Sequence, residues 1–388
     1  MRAAIILALW ALQLAAAYAE RPAGQEMLSQ SHALVQLQVD RARTANIGGN
    51  ATSSISNETS NLDVIDKVVF IKLHSVGSST MTSILHHYCE NHQKNCFVYP
   101  IEIAPGSTVD SGTLGSIVSA FSSADKRPLD IWPNHVVMDT PMFNSLIPGN
   151  FMISLFRDPL DRIMSSFRHG ETATVLETMQ SLQQNIMTTH CGAAAYPMAK
   201  QITPEQVSKL DLVMLTEEYD LSLMLLRKAL GWSLFDMMYR RMKDDHDDDL
   251  VASTVNFGEY LSQPYGDLNP ATLEYLAQCM GADETTVYLY AKARFQQQWE
   301  DLSAAEQQQV LEDQSKFQAA RASLEDCCES SANDSYCVAL SEDNVEWNHR
   351  YQGEGYTYTT MQLNGQTPAA AITQESSCMT LVKSALHA

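Results

Sequence analysis

Phe70-Ile-Lys-Leu-His-Ser-Val-Gly-Ser-Ser-Thr80 is the stretch whose reading decides the fold. Val68-Val69-Phe70-Ile71 is the compact β-branched and aromatic run that a buried strand needs. Gly77-Ser78-Ser79-Thr80 comes next, and Met81, Ile84, Leu85 and Tyr88 then recur at helical spacing. A strand that ends at a sheet's carboxyl edge, turns at a glycine and enters a helix aims backbone N–H groups and the positive helix end at one point. That makes an anion seat, with the Ser78, Ser79 and Thr80 hydroxyls as further donors. A G-x-x-x-x-G-K-[ST] signature is absent, which disfavours a nucleoside-triphosphate loop. Where loops of this kind carry a lysine beside the turn, this one has Ser75. Taken alone, the same residues also fit a plain strand-turn-helix with serine caps.

Working outward, apolar runs and helical patterns alternate, as in a parallel sheet flanked by helices. Cys96–Tyr99, His135–Met138, Phe151–Phe156 and Leu212–Leu215 are the further predicted strands, and Ser222–Leu230 is a helix stopped by Gly231. From Asn269 to Cys328 the pattern is helical. Ser303 and Glu306 form a capping box, and Val310, Phe317 and Leu324 mark a core-facing stripe. Asp244–Leu250, DDHDDDL, reads as a solvated acidic loop rather than a metal site. The expected fold is therefore α/β, a P-loop-like three-layer arrangement with a central parallel sheet and a mainly helical C-terminal part.

A second motif, Leu155-Phe-Arg-Asp-Pro-Leu-Asp-Arg-Ile-Met-Ser-Ser-Phe167, repeats the strand-to-helix design. The strand delivers Arg157 to the sheet edge and Pro159 starts the helix. Ser165, about two turns on, returns towards the same end, where it and the planar fork of Arg157 can share one phosphate. A helix start capped by Asp158, with Arg157 in a salt bridge, is the competing structural account.

The whole chain narrows the choices. It has 388 residues, enough for one large domain with appendages, and 45% of them are hydrophobic. A formal charge of -21 argues against nucleic acid as a partner, so an anionic ligand needs a local basic pocket. Residues 1–19, with Arg2, an apolar run from Ala3 to Ala16 and Ala17-Tyr18-Ala19, read as a secretory signal or a signal anchor. The signal is favoured, because about 17 apolar residues is the low end for a span. Residues 20–63 form a polar stem, 64–326 the folded domain, and 327–388 a cysteine-containing tail. Eight cysteines without paired C-x-x-C spacing favour disulfides over zinc. Cys89 and Cys96 are close enough to staple a helix end to the next strand. Asn50-Ala-Thr52, Asn57-Glu-Thr59 and Asn333-Asp-Ser335 are glycosylation sequons, meaningful in the same lumenal compartment.

Together the two motifs resemble sulfotransferases that use 3′-phosphoadenosine 5′-phosphosulfate (PAPS), and in detail the galactose 3-O-sulfotransferase family, which includes the galactosylceramide sulfotransferases. In that family the first motif reads approximately F-L-K-T-H-K-T-A-S-S-T, which aligns with Phe70–Thr80 without a gap. The second reads approximately I-L-R-D-P-V-x-x-F-x-S-S-F. A third similar stretch runs from Leu210 to Trp232. The resemblance implies His74 as general base and Lys72 as the charge on the leaving phosphate. It implies a donor site of Lys72, Gly77, Ser78, Ser79, Thr80, Arg157 and Ser165. Ser75 departs from the family's second lysine, and Asp139 stands where relatives tend to carry His or Asn, making it a candidate sugar contact. Glu217 matches a family glutamate that serves either the acceptor or a helix cap. The implied function is transfer of a sulfuryl group from PAPS, with no metal, to a galactose-type hydroxyl of a glycolipid or glycan in the Golgi lumen. A catalytically inactive lumenal binding protein, for which Ser75 speaks, and a uronyl 2-O-sulfotransferase-like enzyme are the alternatives.

Overall fold

The computed structural model describes residues 64–97, 108–121, 129–159, 161, 162, 165, 198–240, 270–341 and 376–387, with backbone only for 117–121 and 270–282. Strand β1 (Val68–Ile71) is fully buried and leads through the 72–77 loop into helix α1 (Ser78–Asn91). After α2 (Ser111–Phe121) come β2 (Ile131–Trp132), α3 (Thr140–Leu146) and β3 (Phe151–Phe156). A short helix α4 (Pro204–Val207) precedes β4 (Leu212–Leu215), and α5 (Tyr219–Leu230) packs back on it. The remainder is helical: α6 (Pro270–Glu300), α7 (Ala304–Ser330), α8 (Ser335–Ser341) and α9 (Ser377–His387). This is the expected α/β architecture, a parallel sheet wrapped by helices with a helical C-terminal part.

All four strands are parallel, in the order β2-β1-β3-β4. The chain leaves β1 for β2 on one side, then returns to β3 on the other side of β1. The carboxyl ends of β1 and β3 therefore flank a topological switch point, the crevice where open α/β sheets bind ligands. Both motifs read from the sequence open onto that crevice.

Each strand is buried because a parallel sheet has helices on its faces. The side of β4 away from β3 is sealed by side chains. Gln298 of α6 accepts from Val213 N–H and donates to Val213 C=O, each at 2.9 Å, so its amide stands in for a neighbouring strand. Two residues on, the Ser222 hydroxyl accepts from Leu215 N–H at 3.0 Å.

Two expected strands differ. His135 and Val136 make isolated parallel bridges, to Lys72 and Val109, in place of a strand over His135–Met138. The regular strand in that region is Ile131–Trp132, and Pro133, with no N–H to give, separates it from those bridges. Cys96 forms a single bridge to Ile131, and Val98–Tyr99 lie outside the described residues. Other expected features are present among the described residues, although the helix expected over Ser222–Leu230 begins at Tyr219. Gly231, at φ 71°, caps α5, the Ser303–Glu306 box starts α7, and Val310, Phe317 and Leu324 are core.

Disulfides close two regions. Cys89–Cys96 ties the end of α1 to the following segment, as expected. Cys327–Cys378 and Cys328–Cys337 fasten α9 and α8 to the end of α7. Three of these sulfurs cluster within 4.8 Å of one another, but all are committed to disulfide bonds. The N-terminal segment 1–63 and the 244–250 acidic run lie outside the described residues. Among the described residues no helix is long and apolar enough to cross a membrane.

Candidate active site

The loop after β1 is held in an unusual backbone path. Ser75 has φ 59° and Gly77 φ 76°, both in the left-handed region. At Gly77 this conformation costs little; at Ser75 it is a local strain, held by the surroundings. A Cβ on Gly77 would meet Thr216 and Tyr219 side-chain carbons at 3.6 Å, an ordinary contact distance, so it is the positive φ rather than close packing that calls for glycine here.

Gly77 is the N-cap of α1, and no side chain caps that helix. The Ser78 hydroxyl turns back to donate to Leu73 C=O at 2.8 Å, and Thr80, 7% exposed, lies near the buried Tyr219 hydroxyl. Burial pushes that tyrosine well above its ordinary pKa. Two of the three expected hydroxyl donors therefore lie against protein. What α1 offers an anion is chiefly the first-turn N–H groups, which have no intrahelical partner, and the half-buried Ser79. The 14-residue helix and its uncapped end fit a phosphate.

Three strand ends are stitched together around this loop. Thr216 Oγ1 lies 2.5 Å from Val76 C=O and 3.1 Å from Phe156 C=O. Arg157 Nη1 reaches Ser75 C=O at 3.5 Å, so the second motif touches the first. Asp158 caps the helical segment beginning at Pro159, its Oδ1 accepting from Asp161 N–H at 3.4 Å, and its own N–H donates to Glu217 Oε1 at 2.5 Å. Ser165 is buried at 9% exposure within that segment.

Lys72, 2% exposed, follows β1 directly. Its carbonyl accepts from His135 Nδ1 at 2.9 Å and from Gln201 Nε2 at 2.8 Å. A carbonyl only accepts, so Nδ1 of His135 carries a proton. Gln201, 1% exposed, also donates to Val136 C=O at 3.2 Å and so bridges the ends of two neighbouring segments. The His74 ring stacks on His135 with centroids 3.8 Å apart and planes within 5°. His74 Nε2 lies 2.9 Å from the Thr108 hydroxyl. Burial, then the Lys72 and Arg162 charges, lower the His74 pKa to about 4, so the ring is neutral near pH 7.

Arg162, one helical turn beyond Asp158, is 1% exposed and paired at 2.5 Å with Glu284 of α6, itself 0% exposed. Burial lowers the Arg162 pKa and raises that of Glu284, each against the pull of its partner. Glu284 also accepts from Ala199 N–H at 3.3 Å. Sequence reading missed His135, Gln201, Arg162 and Glu284. Only Arg162, inside the R-D-P motif, carried a sequence signal. Asp139 caps α3, accepting from Met142 N–H at 3.2 Å through Oδ1; Oδ2 has no protein partner among the described residues.

The family model described as galactose-3-O-sulfotransferase matches residues 12–186, a range that includes both motifs. The chain is 25% identical over 210 residues to galactose-3-O-sulfotransferase 2 of Homo sapiens, covering 46% of this chain and 51% of that protein. It is 26% identical over 221 residues to galactosylceramide sulfotransferase of Mus musculus, covering 46% of this chain and 49% of that one. The chain thus spans about half the length of the curated relatives it matches. Over residues 12–186, including the loop after β1 and the R-D-P segment after β3, this chain is similar to the galactose-3-O-sulfotransferase family.

Proposed function

We propose that this chain is a carbohydrate sulfotransferase that moves the sulfuryl group of PAPS to a galactose-type hydroxyl. The observation that carries this reading is the meeting of the two motifs at the β1/β3 crevice, with Arg157 against the Ser75 carbonyl. The α1 N-terminus would hold the 5′-phosphate, with Gly77, Ser78, Ser79 and Thr80 contributing backbone donors. Arg157 and Ser165 would grip the 3′-phosphate.

Sulfuryl transfer needs in-line positioning and neutralisation of charge on the departing phosphate oxygen. Lys72 supplies that charge, in a protein environment where it counts for more than in water. His74 takes the acceptor proton. Its Nε2 already faces a hydroxyl, that of Thr108, and a sugar hydroxyl would take that place. Asp139 Oδ2 is the group left to fix a second sugar hydroxyl, and Glu217 acts through Asp158, whose N–H it holds at the start of the helical segment. The setting we infer is the secretory lumen, such as the Golgi, consistent with the formed disulfides. A glycolipid or glycan would be the partner, and the N-terminal apolar run would serve as a secretory signal or, alternatively, as a membrane anchor.

Labelled sulfate passing from PAPS to a galactoside tests the reading directly. Tight 3′-phosphoadenosine 5′-phosphate binding without turnover would instead support the inactive alternative that Ser75 favours.

Two outcomes follow from the geometry. The first concerns pH. With His74 titrating at about 4, kcat/KM should stay level on its acid side from pH 7 to about 5 and fall only below that. A drop centred near 6.5 would remove His74 from the role. The same depressed pKa means that the unfolded chain binds more protons between about 4 and 6.5. Stability should therefore fall as pH is lowered through that window and be fully present above it.

The second concerns Gln201. Replacing it by methionine keeps the volume but removes both amide bonds to the Lys72 and Val136 carbonyls. We expect kcat to drop about tenfold, the equivalent of about 1.4 kcal/mol, with KM for PAPS little changed. The His74 titration followed by NMR should shift with it. An unmoved His74 resonance together with full kcat would show that the amide merely fills space.

A further inference from the structure

We propose that Asn333 is the attachment point of an N-linked glycan, added before the Cys328–Cys337 disulfide closes. The three residues of its sequon divide their work sharply. Asp334, the middle residue, makes the structural contacts: it accepts from Tyr336 N–H at 3.0 Å, the Ser377 hydroxyl at 3.1 Å and Cys378 N–H at 3.3 Å. Asn333 and Ser335 are both exposed, and among the described residues neither side chain makes a hydrogen bond. Folding therefore accounts for Asp334 and leaves the amide and the hydroxyl that define the sequon facing solvent.

The second observation is chemical. Three disulfides are formed among the described residues, two of them within a few residues of Asn333. Disulfides persist in the oxidising lumen, and that is the compartment in which lipid-linked oligosaccharide is transferred to asparagine. In that step the Asn333 Nδ2 forms a bond to the anomeric carbon of the oligosaccharide. The bond from that carbon to the diphospholipid oxygen breaks, the lipid diphosphate leaves with the electron pair, and one amide proton passes to the transferase's base. No oxidant or metal of this chain is needed.

Order follows from geometry. A transferase that grips both the asparagine and the hydroxyl two residues later must enclose an extended tripeptide. In the folded chain Ser335 is already the first residue of α8, and Asp334 N–H is turned back on Ser331 C=O at 2.8 Å. The disulfide closes this turn, its cysteines only nine positions apart. Once it has formed and Asp334 is anchored to α9, the tripeptide cannot be drawn out. Modification must precede closure.

The test uses the full chain expressed in a eukaryotic secretory host. Glycans are released by an amidase in heavy-oxygen water, which converts a glycosylated asparagine to labelled aspartate. Label is expected at position 333 in most wild-type molecules, to be lost in Ser335→Ala and retained in Ser335→Thr. Label at Asn50 or Asn57 without label at Asn333 would overturn the site, since the chain would have met the machinery and been passed over. Absence of label at all three would overturn it equally. For the order of events, newly made chains are pulse-labelled and their free thiols alkylated. Glycosylated Asn333 should appear on chains whose Cys337 is still alkylated. Glycan found only where Cys328–Cys337 is already bonded would refute the sequence of steps. None of these readouts depends on sulfate transfer, so the site and the sulfotransferase reading stand or fall separately.

Discussion

Lys72→Ala is expected to lower kcat for sulfate transfer by at least a hundredfold and up to about a thousandfold, the equivalent of roughly 2.7–4 kcal/mol. The size comes from the position of the ammonium. Lys72 is almost completely buried at the end of β1, and Ser75 leaves it without the second lysine that the family motif carries. Its backbone is fixed by His135 and Gln201, so the side chain starts from a defined place. Arg157→Ala should behave differently. It removes a charged fork aimed at the phosphate that does not react, so it should weaken 3′-phosphoadenosine 5′-phosphate binding about ten- to hundredfold, as loss of charged hydrogen bonds does. Calorimetry for the second variant and initial rates for the first make the distinction. Wild-type rates in Lys72→Ala and wild-type affinity in Arg157→Ala would rule out the proposed site.

Glu284→Leu should cost about 3–5 kcal/mol of folding stability, because it leaves the Arg162 guanidinium buried without its carboxylate. The double variant Arg162→Met, Glu284→Leu should recover most of that loss, since two apolar side chains carry no charge to desolvate. Denaturant midpoints of the three proteins check this. A single variant within about 1 kcal/mol of wild type would mean that the pair is dispensable. Nature's retention of so expensive a pair is understandable if its geometry matters. It locks α6 to the R-D-P segment, and Tyr288, four residues along α6 from Glu284, lies on the same side and close to Glu217. One helix face thereby lies against both ends of the turn that presents Arg157.

The sequence revealed most where local chemistry is strong. β1, β3 and β4 are continuous apolar runs because a parallel sheet buries both faces, and Gly231 and the Ser303 box announce helix ends by backbone geometry alone. The loop and the R-D-P segment were legible for the same reason: turn, charge and helix start lie within a dozen residues of each other. β2 was not. Two residues hydrogen-bonded to β1 give no period, and the richer His135–Met138 run drew attention away from them.

The missed site residues were invisible for another reason. A glutamine at 201 or a histidine at 135 says nothing until the fold brings it to the Lys72 carbonyl, from 129 and 63 positions away. Two of the expected hydroxyl donors, Ser78 and Thr80, turned out to lie against protein, which a linear motif cannot foresee.

The amide of Gln298 has one more implication. Among the described residues the β4 edge of the sheet is answered by glutamine and serine at Val213 and Leu215, so those rungs are not open for a second molecule to copy and stacked, fibre-like association along that edge is blocked. Exchanging that glutamine for leucine would reopen the rung at Val213, and self-association rather than unfolding would be the first symptom.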